Sequence, residues 1–138
     1  MVWGTEKLMN NIILGCIIGF IIGTTSYIIL RFWILPIHRY QKVKKDIRHF
    51  FNQFEILISD DIGGSGVLVE QAAVCRKHAA ALTDAYYDDL PQWYRMVLAH
   101  KLKEFPVEAS RDFLTLSNTR AADHARNRVK KIRQYLRI

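Results

Sequence analysis

Cys75 and His78 stand three residues apart, a spacing that on a helix turns a thiol and an imidazole to the same side. Zinc accepts such a pair as half of a tetrahedral site. The other half would have to come from His100 and His124, which are isolated and stand in no ligand motif. Cys75 also falls on an apolar helical repeat, so a core position is expected and a metal is not. Asp60-Asp61 and Asp88-Asp89 are paired carboxylates of the kind that share acid–base work. Both pairs fall beside helix ends, where capping and the helix dipole account for them at less cost. Gly63-Gly64-Ser65-Gly66 precedes a helix and could offer free amides to an anion. No Lys-Ser or Lys-Thr follows, and Asp60 and Asp61 repel phosphate, so the segment reads as a hinge. Neither a nucleophile elbow nor a His-Glu-x-x-His sequence occurs. The expectation is therefore a non-enzymatic protein with no catalytic residue, no metal and no cofactor.

Basic residues carry more information. The chain has 138 residues and a formal charge of +7, unevenly spread. Residues 1–30 are neutral, 31–48 carry +5, 49–119 carry −4 and 120–138 carry +6. The first block, Arg31, Arg39, Lys42, Lys44, Lys45 and Arg48, abuts a long uncharged run. It is assigned to membrane topology and to the anionic lipid leaflet, where each cation near the surface contributes about 1 kcal/mol. In the second block Arg126, Lys130, Arg133 and Arg137 form a column beside an apolar stripe at 100° per residue. They mark a candidate anion-binding face. Its counterpart could be the acidic middle of the chain, membrane lipid or a phosphorylated ligand. Nucleic acid is disfavoured, because only Tyr135 interrupts the helix as an aromatic and no binding motif surrounds it.

The element next to the first block is the uncharged run itself. Leu8 to Leu30 holds 23 residues between Lys7 and Arg31. A helix needs about 20 such residues to cross a hydrocarbon core. Trp3 on one side and Phe32-Trp33 on the other suit headgroup level. The run is too long for a secretory signal, and it continues past Cys16 where a lipoprotein would turn polar. Residue 2 is Val, which excludes N-myristoylation. Basic residues concentrate after the span, which puts the N-terminus outside and the bulk of the chain in the cytoplasm. A bacterial inner membrane is expected. Gly15, Gly19 and Gly23 recur every four residues on one helix face, which lets a second backbone approach closely. They mark the expected helix-packing site, facing either another copy or a different membrane subunit.

The remainder must supply the cytoplasmic domain. Tyr40, Val43, Ile47, Phe50, Phe54 and Leu57 alternate spacings of three and four, widened by Phe51 and Ile58. Leu68, Ala72, Cys75, Ala79, Leu82 and Tyr86 form a second, Ala-rich stripe. Pro91 and Pro106 are expected in the first turns of helices near 91–104 and 106–117. Ser117-Asn118-Thr119 offers caps for a final helix whose stripe is Ala122, Ala125, Val129, Ile132 and Leu136. The predicted fold is all-α, a single N-terminal transmembrane helix followed by a bundle of about five helices. Its segments are an external N-terminus (1–7), the span (8–35), a juxtamembrane helix (36–58), a Gly-rich hinge (59–66) and a helical domain (67–138).

These features lead to a single-pass accessory or scaffold subunit of a membrane complex, with a cytoplasmic protein as partner. The competing expectation is an oligomeric membrane effector of prokaryotic defence or signalling. In that case the basic C-terminal helix would sense a phosphorylated or nucleotide ligand.

Overall fold

The computed structural model describes the backbone of residues 2–59 and 64–138 and the side chains of 7–58 and 66–138. Among the described residues the protein is all-α, and it divides into two compact units, Met1–Leu35 and Pro36–Ile138.

The first unit is α1 (Val2–Ile29) followed by a π turn, Leu30–Ile34. Leu8, Met9, Ile17, Ile18 and Ile22 point in different directions around α1 and all are exposed. A helix that is apolar on every side belongs in a core or in lipid. This one is long and apolar enough to cross a membrane. The Thr25 hydroxyl donates to the Ile21 carbonyl at 2.7 Å, so this polar side chain is satisfied inside its own helix.

Pro36 explains the π turn. Proline has no N–H, and its ring crowds the carbonyl four residues back, here that of Phe32. One residue earlier the Leu35 N–H reaches the Leu30 carbonyl, five residues back. The widened turn relieves that crowding, and α2 (Leu35–Ser59) starts with Pro36 in its first turn.

The second unit holds five α-helices among the described residues, against an expectation of about five. After α2 come α3 (Gly64–Asp84), α4 (Gln92–Val97), α5 (Pro106–Ser117) and α6 (Ala122–Leu136). Further π turns close α3 at Ala85–Asp89 and extend α4 at Leu98–Leu102. Helix α3 packs against α5, and α5 against α6. The small residues Ala79 and Ala109, both buried, suit that close approach. Helix α2 contributes the bulk: Tyr40, Ile47, Phe51 and Phe54 are fully buried, and Phe51 stacks on Phe113 with ring centroids 5.1 Å apart.

Several boundaries differ from the sequence expectation. Leu57 is 41% exposed, whereas Phe51 and Ile58 are buried. At 100° per residue Phe51 and Ile58 fall within about 20° of Tyr40, but Leu57 falls about 100° away. Gly64 and Gly66 belong to the first turn of α3, so the break between α2 and α3 is shorter than 59–66. Asp60, Asp61 and Gly63 lie outside the described residues. Pro91 precedes α4 and its carbonyl accepts from Tyr94 and Arg95, while Pro106 does occupy the first turn of α5. Ser117 and Thr119 do not cap α6. Their hydroxyls donate backwards to the carbonyls of Leu114 and Thr115 and so finish α5, while α6 starts after Ala121 without a side-chain cap.

Candidate functional site

The lipid-assigned cations occupy four different environments. Arg31 is exposed in the π turn that follows α1. Arg39 forms an ion pair with Asp89 at 2.8 Å. Lys42, Lys45 and Arg48 are exposed along α2, and Lys45 and Arg48 line a shallow depression with Gln41. Lys44 is a correction. Its side chain is only 12% exposed and its Nζ donates to Glu104 Oε1 at 2.7 Å. A carboxylate buried to this degree holds the ammonium far more firmly than a headgroup in water would.

Glu104 also accepts a hydrogen bond from the Tyr40 hydroxyl, through Oε2 at 3.1 Å. Burial, then the charge and hydrogen bond of Glu104, push the Tyr40 phenol well above its ordinary range. The phenol therefore remains a donor throughout. The backbone around Glu104 is correspondingly special. Lys103 adopts the left-handed conformation at φ 50°, and the Glu104 N–H donates to the Leu98 carbonyl at 3.0 Å. The Phe105 N–H donates to the Tyr135 carbonyl at 2.9 Å, and Arg137 donates to the Leu102 carbonyl at 2.9 Å. One turn thus joins α2, α4 and α6.

Three of the four members of the C-terminal column hold partners within the bundle, Arg126 and Arg137 from exposed positions. Arg133 donates to Asn52 Oδ1 at 3.0 Å and to Glu55 Oε2 at 3.2 Å, and lies over the Phe51 ring at 6.0 Å. Arg126 reaches the Ile58 carbonyl at 3.5 Å, and Arg137 holds Leu102 as above. Positions flanking a buried stripe border the neighbouring helix, and a long guanidinium arm spans that border. Of the four predicted anion-binding residues, Lys130 instead faces outward, beside His124, Asn127, Arg128, Lys131 and Gln134. Arg128 is paired with Asp112. The anion met by this basic helix inside the chain is thus the acidic middle segment, through Glu55 and Asp112.

The zinc and glycine candidates resolve differently. Cys75 is buried, and burial pushes its thiol up to about 11, so it is protonated at neutral pH. His78 packs against the Phe50 ring at 4.9 Å and near Phe113, and burial lowers its pKa from the ordinary imidazole range. His100 and His124 are exposed, and no group of three metal-ligating side chains occurs among the described residues. Along α1, a Cβ added at Gly15, Gly19 or Gly23 meets nothing within 4 Å.

Sequence reasoning missed Tyr40, Glu104, Asn52 and Asp112 as polar partners. Tyr40 read as an apolar stripe member, and Glu104 as one acid among ten in the middle segment. The available signal was Lys44, one position after stripe residue Val43, since a lysine bordering a core invites a buried acid. With the geometry in place, no family model, curated protein or solved structure matches this chain.

Proposed function

We propose that the protein is a single-pass membrane subunit that assembles through α1 and presents the α2–α6 bundle to a cytoplasmic protein, as a non-enzymatic scaffold. The observation that carries this reading is the open glycine face. Gly15, Gly19 and Gly23 sit in register on a helix with apolar residues on every side, and beyond the helix's own neighbouring backbone no described residue comes within 4 Å of a Cβ at any of them. Such a face lets a second helix approach closely, which is how helices in lipid gain packing energy. The N-terminus then lies outside and the bundle in the cytoplasm of a bacterial cell, supported by the excess of Lys and Arg after residue 30. The contacts of the α6 column weaken the ligand-gated alternative, because Arg126, Arg133 and Arg137 already hold partners within the bundle.

Gly19→Ile tests the assembly. The added side chain meets open space within the protomer, so it should leave the bundle's thermal transition unchanged. It should lower the mass of the detergent-solubilised complex, or the recovery of a co-purifying subunit. An unchanged mass and unchanged recovery would make the glycine face incidental.

A further inference from the structure

Outside the apolar helix, the exposed large apolar side chains fall in separate places. Ile56, Leu57 and Val69 are near the break between α2 and α3. Tyr87, Trp93 and Met96 belong to α4 and the turn before it, where they are 52%, 42% and 55% exposed. The second group is tied to the beginning of α2. Asp89 pairs with Arg39 at 2.8 Å, and the Gln41 side chain donates to the Tyr94 hydroxyl at 3.3 Å. Arg39 is four residues after Leu35, so chain length alone keeps it within about 14 Å of the end of the first unit, whatever the angle between the units. Ile56 lies about 26 Å further along α2.

The composition of α4 fits one occupant. At 100° per residue Trp93, Met96 and Ala99 share an outward arc, while Tyr94 and Leu98 turn towards the core. No acid occurs between Gln92 and Lys103; His100, Lys101 and Lys103 are exposed there, and Asp88 precedes the helix. Exposed Lys42 and Lys45 stand on α2 nearby in the chain. Indole and phenol rings with a polar tip, a flexible thioether and flanking cations together suit the headgroup layer of an anionic leaflet.

We propose that the outward arc of α4, with Trp93 and Met96 at its centre and Tyr87 ahead of it, rests in the lipid headgroup layer and seats the bundle on the membrane. The proposal rests on the membrane reading of α1. The full chain is reconstituted in vesicles of phosphatidylcholine and phosphatidylglycerol whose acyl chains carry bromine either just below the glycerol or at the chain ends. Trp3→Phe with Trp33→Phe leaves Trp93 as the fluorophore, and Trp3→Phe with Trp93→Phe leaves Trp33. Trp93 should lose emission to the shallow bromines, keep it with the deep ones, and lose less when phosphatidylglycerol is omitted. Met96→Asp, an exposed position, should restore the emission while leaving the helical circular dichroism unchanged. Quenching of Trp33 with none of Trp93 overturns the α4 contact and leaves the span standing. Absence of quenching at both positions removes the membrane reading and the proposal with it. A blue shift of Trp93 without bromine quenching assigns the arc to a protein surface, which also overturns the lipid contact.

Discussion

Glu104 is where single residues matter most to this molecule. Its carboxylate is 6% exposed and has two partners, the Lys44 ammonium and the Tyr40 hydroxyl. Removing one member of such a buried pair leaves an uncompensated charge, which costs about 3–5 kcal/mol, whereas replacing both by apolar residues of similar volume is often neutral. Glu104→Leu alone should therefore lower the chemical-denaturation midpoint severely. Lys44→Met combined with Glu104→Leu should recover most of the loss. If the double substitution is as damaged as the single one, the pair is not acting as a coupled unit. Cys75 and His78 show the opposite relation to chemistry. Each looked reactive by type, yet burial keeps the thiol protonated and opposes the charged imidazole.

At the scale of elements, the π turns do work that neither regular helix nor loop would do. The turn at Leu30–Ile34 accommodates Pro36, and the turn at Leu98–Leu102 ends in left-handed Lys103, which swings Glu104 towards α2. A lysine in that conformation carries a steric cost that glycine does not, and glycine is the preferred residue at such a helix end. Lys103→Gly should stabilise the bundle by up to about 1 kcal/mol, the left-handed cost of an L side chain (about 1–2 kcal/mol) less glycine's extra chain entropy, read as a raised melting temperature with an unchanged circular dichroism spectrum. A lower melting temperature would mean that the lysine side chain contributes more than its backbone costs. Helix α6 is tied in by its flanks as well as its stripe. Arg133 and Arg137 reach α2 and the Lys103 turn while Val129, Ile132 and Leu136 fill the core.

For the whole molecule, the division at Leu35 and Pro36 has an energetic counterpart. Among the described residues the core cluster of the second unit runs from Tyr40 to Leu136, with Ile37 packed against it. About 100 residues with one such core are enough for independent folding. Residues 36–138 expressed alone should give a soluble, helical protein with a cooperative thermal transition. Broad, non-cooperative melting would show that the bundle depends on α1. The charge distribution has the same logic. Two of the seven C-terminal cations, Arg128 and Arg133, pair with Asp112 and Glu55 inside the unit, so the +6 of residues 120–138 overstates what a partner would meet at that helix.

Periodicity and length carried the helix inventory, because an apolar stripe at three-and-four spacing or a 23-residue uncharged run has few physical solutions. The all-α class, the apolar N-terminal helix, the stripes of α3 and α6 and the core position of Cys75 were readable from residue order alone. Side-chain partners were not. Lys44 and Arg133 are both basic residues beside apolar stripes, and nothing local indicates that one meets Glu104 and the other Glu55, 60 and 78 residues away. Those pairings arise only when separate helices pack, since desolvation makes a long-range partner worth more than water or a headgroup. The exposed arc of α4 was hidden for the same reason. Trp93, Tyr94 and Met96 are alike in hydrophobicity, and packing against α2 and the core decided which of them would face outward.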